Sequence, residues 1–415
     1  MSNPGAKHLF GKDFCIMVVG QIITVFGTSL LRFGLSLFIL DSTGREDIYA
    51  TLYAVSSIPL LFSPVGGAII DRFDRKRIMV LIDAANGIIV LSAVLLFSAG
   101  TTLSTLGIGA VMFFLGMAGA VEFPNTMAAL PSIVHTEELE RANGVISSVQ
   151  MLSTVIAPVM GGMLYTVLGF KALLVTSCGA FFLAAALECF IHIPYVKRTL
   201  QLPLTTTIIQ DLKTGLAYVL KQSFIRKGMI LAALLNLILT PLFAIGTPII
   251  LRIALKSSDI AFGIGMGIIH IATILGALTI GKISKIIKMN QLYLWIFIIA
   301  ILIIPIAISV IPVNAGYYST FVMFFAGAVP ISMILAILSI IILARVQKQT
   351  PDDLMGKVMA ITTAASQCMT PVGQALYGVL FRTFNSALYI PLVCISMATV
   401  LLAVITKLSL GNEKE

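Results

Sequence analysis

Ionisable side chains are scarce in the apolar stretches of this 415-residue chain, and the few that occur there mark where chemistry could be done. A charge in hydrocarbon is costly unless it is paired or hydrated, so each is a functional candidate by default. Glu122 and Arg32 stand out. A buried carboxyl holds its proton more firmly than one in water, which makes Glu122 the residue for reversible protonation. Two structural readings stand beside that one: Glu122 is fixed by Arg32, or it reaches back to the aqueous rim. Asp41 closes the first apolar run. His270 lies in the middle of a later one and could titrate near neutral pH, although a lone histidine is more often a packing residue. Asp83 follows a basic loop and reads as a partner of Arg72, Arg75 or Arg77. Glu188 and His192, four residues apart, read as a local pair on one helix face.

Other chemistries find no support in the residue pattern. The four histidines are scattered, and Cys15, Cys178, Cys189, Cys368 and Cys394 show neither CxxC spacing nor a histidine partner, so they read as small buried side chains. No metal site, cofactor or catalytic residue is assigned. Gly263, Gly265 and Gly267 form a GxGxG, but no soluble strand precedes it and no Walker A sequence occurs. A lipid enzyme would need His, Asp or Cys clustered at one membrane face, and a signalling scaffold would need a soluble module; both readings are disfavoured.

The elements that position these residues follow from composition. Hydrophobic residues make up 58% of the chain and charged residues only 11%, which excludes a soluble fold. About twelve runs are long enough to cross a bilayer, at approximately 14–40, 48–70, 78–99, 103–127, 143–168, 172–194, 228–251, 259–281, 290–312, 316–344, 357–381 and 385–407. The net charge of +9 does not point to nucleic acid, because the 27 Lys and Arg are strung thinly between apolar runs. Most of them fall on alternate connections, which places those connections and both termini in the cytoplasm. The fold class expected is therefore an all-α polytopic membrane protein.

The one long polar connection, 195–227, contains an amphipathic stretch near Ile208 to Leu220. It divides the chain into six-span bundles at 1–194 and 228–415. An internal repeat supports the division: His135-Thr136-Glu137-Glu138-Leu139 recurs as Thr350-Pro351-Asp352-Asp353-Leu354. Each copy is followed by a Pro-Val and then a Leu-Tyr, at Pro158, Val159, Leu164 and Tyr165, and at Pro371, Val372, Leu376 and Tyr377.

Two motifs carry a resemblance. Gly66-Gly67-Ala68-Ile69-Ile70-Asp71-Arg72-Phe73-Asp74-Arg75-Lys76-Arg77 joins the second and third runs, and its glycines allow two helix ends to approach closely. Ala157-Pro158-Val159-Met160-Gly161-Gly162 places a helix-bending proline before two glycines suited to tight packing. The first resembles the signature loop of the major facilitator superfamily, departing from it at Asp74, where glycine is usual. The second is similar to the Gly-Pro-x-x-Gly-Gly motif of its drug antiporters, with Ala157 in place of the first glycine. With Leu130-Pro131, Glu138 to Gly144, Val346-Gln347 and Gly356-Lys357-Val358, nearly the whole chain resembles the macrolide-efflux and enterobactin-exporter branch.

That resemblance implies twelve helices in two pseudo-symmetric bundles around a cavity lined by spans 1, 4, 7 and 10 and their partners 2, 5, 8 and 11. It implies a monomeric secondary transporter in the cell membrane, with no enzymatic activity, exporting a drug-like or siderophore-like small molecule against inward proton movement. Uptake of a small organic solute stands as the alternative. Gly67, Asp71, Arg72, Arg75, Arg77 and Asp83 would form the cytoplasmic gate, and Pro158, Gly161 and Gly162 the bend. Arg32, Asp41, Glu122 and His270 would be the proton-coupling candidates. Gln21, Phe33, Asn125, Gln150, Asn236 and Gln367 would face the solute. The arginine that many drug antiporters carry in span four is absent between Thr102 and Leu130, so the usual proton relay does not transfer.

Overall fold

The structure, a computed structural model, describes residues 11–59, 70, 73–99, 105–135, 138–194, 204–279, 289–311, 316–351 and 354–411. Among them the secondary structure is helical without strands, as it must be where lipid offers the backbone no hydrogen-bond partners. In chain order the α-helices are α1 Lys12–Thr43, α2 Glu46–Ser57, α3 Arg75–Ser98, α4 Thr105–Ile133, α5 Leu139–Glu188, α6 Leu204–Lys221, α7 Ser223–Ile238, α8 Asp259–Leu278, α9 Leu292–Ser309, α10 Tyr317–Lys348, α11 Met355–Gln367, α12 Met369–Thr383 and α13 Tyr389–Leu410. Nine helices among the described residues are long and apolar enough to cross a membrane.

Local chemistry sets several of the ends. Asp74 caps α3 by accepting a hydrogen bond from the Lys76 amide, 3.0 Å, which gives the departure from the signature loop a physical role. Ser258 caps α8 through the Ala261 amide. Gly44, at φ 58°, ends α1 by bonding back to the Leu40 carbonyl. The run α7 continues through two π-helical turns, Leu242–Gly246 and Ile249–Ala254, each opened by a proline, Pro241 and Pro248.

At 50 residues α5 would be about 75 Å long if straight, more than twice the hydrocarbon thickness. It is two spans meeting at Gly169, whose φ of 76° and ψ of 177° are non-helical. The chain doubles back there, because Gly161 before the break and Leu173 after it pack on the adjacent residues Phe33 and Gly34 of α1. With α5 counted twice, α7 extended by its π turns, α11 joined to α12 at Cys368 and the amphipathic α6 set aside, the described helices make twelve spans.

The chain divides into two compact units, one formed by residues 1–38 and 55–208 and the other by 39–54 and 209–415. In the first, small residues bring helices close. Gly27 meets Ala180, Gly87 meets Phe182, and Gly116 sits on the Ser56 carbonyl of α2. Phe14, Met17, Met79, Leu130, Ile133, Ile146 and Ile191 form an apolar core at one end of this unit. In the second, α9 packs on α10 and α13, α8 on α10, and α7 on α11 and α12.

The two repeated segments lead into similar turns, displaced by one residue from their sequence register. Glu138 bonds back to the His135 carbonyl and Leu354 to the Pro351 carbonyl, each at 3.0 Å. These two capping residues share one conformation, φ −102° and ψ −2° at Glu138 against φ −105° and ψ −6° at Leu354. Span three pairs with span six and span nine with span twelve. The amphipathic stretch forms α6, whose residues from 209 on belong to the second unit, with Gly215 against the Lys357 backbone and the Tyr218 hydroxyl donating to the Gln349 carbonyl.

The surface differs from expectation at the cysteines. Cys178 is buried, but Cys15, Cys189 and Cys394 are exposed and Cys368 is intermediate, all unbridged. A thiol is apolar enough to face lipid tails, as the exposed Leu95, Leu106, Val167 and Leu401 do.

Candidate functional site

The second unit contains a cavity of about 300 Å³ between α7, α10 and α11, and none of its lining residues is charged. Leu235, Leu335, Ile342 and Val346 supply apolar wall, while Asn236, Thr240, Ser339, Thr362, Ser366 and Gln367 supply polar groups. The Thr362 and Ser366 hydroxyls donate to the carbonyls one turn back, Val358 and Thr362, so they offer the cavity acceptor lone pairs. Thr240 donates to the Asn236 amide oxygen and Thr370 to that of Gln367. The two NH₂ groups are then the amide donors of this wall. Such a surface presents both hydrogen-bonding polarities beside apolar wall.

The sequence pointed to Asn236 and Gln367 at this wall, and the structure brings them together. It did not single out Ser339, Thr362, Thr363 and Ser366. The signal available was the small polar run from Thr362 to Gln367 inside an apolar helix.

In the first unit Glu122 is buried on α4 together with Asp83 of α3 and Glu188 at the end of α5. The Asp83 carboxyl is close enough to act electrostatically on Glu122 and Glu188, and Glu122 on Glu188. Asp83 accepts a 2.7 Å hydrogen bond from the Thr24 hydroxyl, and the Glu188 carboxyl lies against Gly20, where a Cβ would come within 3.4 Å of its Cγ. Gln21, between those two α1 positions, is 1% exposed, and neither atom of its amide has a partner.

This placement corrects two expectations. Asp83 lies inside the unit with Thr24 rather than with Arg75 or Arg77, because it is two turns into α3 and faces α1, while Arg72 lies outside the described residues. Glu188 does not pair with His192, because α5 ends at Glu188 and its carboxyl turns inward. His192 is exposed, and its backbone amide donates to Asp13.

Of the gating-loop residues, Gly67, Asp71 and Arg72 lie outside the described residues. Arg75 is half-buried; its guanidinium reaches the Ser132 hydroxyl at 3.4 Å and its carbonyl accepts from Asn125 at 2.9 Å. Arg77 pairs with Asp74 at 3.5 Å. Asn125, expected toward the solute, is thus engaged in holding the start of α3. Phe33 is buried against Gly161, with Pro158 and Gly162 buried on the same helix. Gln150 is half-buried.

The remaining ionisable candidates are dispersed. Arg32 is exposed and His270 half-buried. Asp41 pairs at 3.0 Å with Arg252, which also meets Asp259. Nearby in the same unit, Asp47 pairs with both Arg45 and Arg382 at 2.8 Å, and the Arg45 guanidinium holds the Asp47 carboxyl below the usual carboxylate range. The Tyr49 hydroxyl donates to the Ala244 carbonyl. Among the described residues no three His, Cys, Asp or Glu side chains are arranged to hold a metal ion.

Comparison with known proteins agrees with this architecture. The family described as Major Facilitator Superfamily matches residues 17–374. Macrolide efflux protein A of Streptococcus pyogenes is 21% identical over 377 residues, 88% of each chain. Enterobactin exporter EntS of Escherichia coli is 24% identical over 327 residues, 76% of this chain and 72% of the relative. Among solved structures, an auto-inhibited peptide transporter of the POT family superposes with a TM-score of 0.75 at 11% identity, over 98% of both chains.

Proposed function

Since the chain belongs to the Major Facilitator Superfamily and is therefore an integral membrane transporter of small molecules rather than an enzyme, we propose that it exports an amphipathic, drug-like or siderophore-like solute in exchange for protons. The observation that carries the solute class is the uncharged cavity of the second unit, whose donors, acceptors and apolar wall suit such a molecule better than a sugar phosphate or an inorganic ion. The outward direction is supported by relatives named for macrolide efflux and enterobactin export.

Proton coupling is assigned to Glu122, a carboxyl held in the bundle interior where gaining or losing a proton alters the cost of burial most. Arg32, Asp41 and His270 are secondary candidates. The residues of the basic loop and Pro158, Gly161 and Gly162 serve the conformational change, with 1–194 and 228–415 as the two bundles and 195–227 as the linker. In this reading the protein is a monomer of the cell membrane with both termini cytoplasmic.

Inside-out vesicles test the reading with a macrolide and enterobactin as probes. Either probe is expected to dissipate an imposed proton gradient, and Glu122→Gln to remove that response while probe binding persists. A deletion strain should accumulate more of the transported probe than its parent. Less accumulation would mean uptake, and Glu122→Gln with unchanged proton dependence would remove Glu122 from the mechanism.

A further inference from the structure

We propose that the coupling proton is held not by Glu122 alone but by one shared site made of Asp83, Glu122, Glu188 and the Gln21 amide. The proposal rests on the reading of Glu122 above and extends it to three residues that the sequence assigned to other tasks.

Four helical segments converge there. Thr24 of α1 bonds Asp83 of α3, Gly20 of α1 leaves room for Glu188 of α5, and Glu122 of α4 lies within electrostatic reach of both carboxylates. Among the described residues no ion pair engages any of the three. One oxygen of Asp83 and one of Glu188 are buried without a partner, as are both atoms of the Gln21 amide. An amide with donor and acceptor both open can bond a carboxylate through its NH₂ and a carboxylic acid through its oxygen. Gln21 therefore suits a site whose carboxyls change protonation. The occupant fits a proton better than a metal ion, because the donors do not surround a metal position.

The helices packed around the site bring few other titratable groups. Cys178 of α5 donates its thiol to the Gly87 carbonyl. Arg32 stands two turns further along α1, Arg75 is bonded at the start of α3, and Asp13 and His192 meet beyond the end of α5.

The test labels the full-length protein in liposomes with dicyclohexylcarbodiimide, an apolar reagent for protonated carboxyls, and reads the adducts at each position by mass spectrometry across pH, in sodium or choline chloride. A shared site predicts labelling at all three carboxyls, with Glu122→Gln changing the extent at Asp83 and Glu188 by about tenfold at fixed pH, as neighbouring charges demand. Glu122→Asp should restore the wild-type pattern, and melting curves exclude unfolded variants. Labelling at Asp83 and Glu188 that ignores residue 122 overturns the sharing while leaving proton coupling by Glu122 intact. Protection by sodium overturns the proton as occupant. Unchanged proton-driven transport in Glu122→Gln overturns the parent reading as well.

Discussion

Gly161 shows how a single missing side chain sets the approach of two helices. A Cβ there would lie 2.6 Å from the Phe33 ring, so Gly161→Ala should destabilise by about 1–3 kcal/mol, and far less in a Phe33→Ala background. A double-mutant cycle on melting in detergent measures the difference. Asp47 gives a pH-dependent counterpart. Its carboxyl is held below the ordinary 3.8 by Arg45 first, against some desolvation, with a further contribution from Arg382. A depressed folded value means that the pair stabilises fully above the ordinary value and is lost as pH falls through the folded one. Asp47→Asn should therefore lower the melting temperature slightly at neutral pH, the pair being partly exposed. The gap to wild type should close in acid below pH 3.8.

At the scale of elements, the reversal at Gly169 converts one continuous helical run into two spans. Its φ of 76° with ψ near 180° is a conformation that L side chains rarely adopt. Gly169→Ala should cost about 1–3 kcal/mol although a Cβ would meet nothing within 4 Å. Hydrogen exchange and melting would locate that loss; a neutral result would mean the turn relaxes. Spans five and six were legible in the sequence as separate apolar runs, since hydrophobic length counts crossings. Their boundary was legible as well, between 168 and 172, but the backbone geometry that makes the turn was not, because Gly169 resembles any other loop glycine until its backbone angles are known. The capping role of Asp74 was hidden for the same reason, its residue type being read against a family pattern instead of against the Lys76 amide.

At the scale of the molecule, the cavity of the second unit carries the prediction. Ser366→Leu should fill part of the roughly 300 Å³ space and raise the transport KM about tenfold with little change in melting, which radiolabelled uptake into inside-out vesicles checks. An unchanged KM would place the solute elsewhere. The sequence alone determined the helical class, the number of crossings and the repeat, because bilayer thickness, backbone satisfaction and charge placement act on segments and are read locally. It also named Glu122, Asn236 and Gln367, since a polar group in an apolar run is conspicuous wherever it ends up. Tertiary structure alone decided that Asp83 and Glu188 join Glu122 and that Thr362 and Ser366 join Gln367. Those groupings depend on how helices rotate and dock, and rotation is set by close contacts such as Gly20 with Glu188, made between residues far apart in the chain.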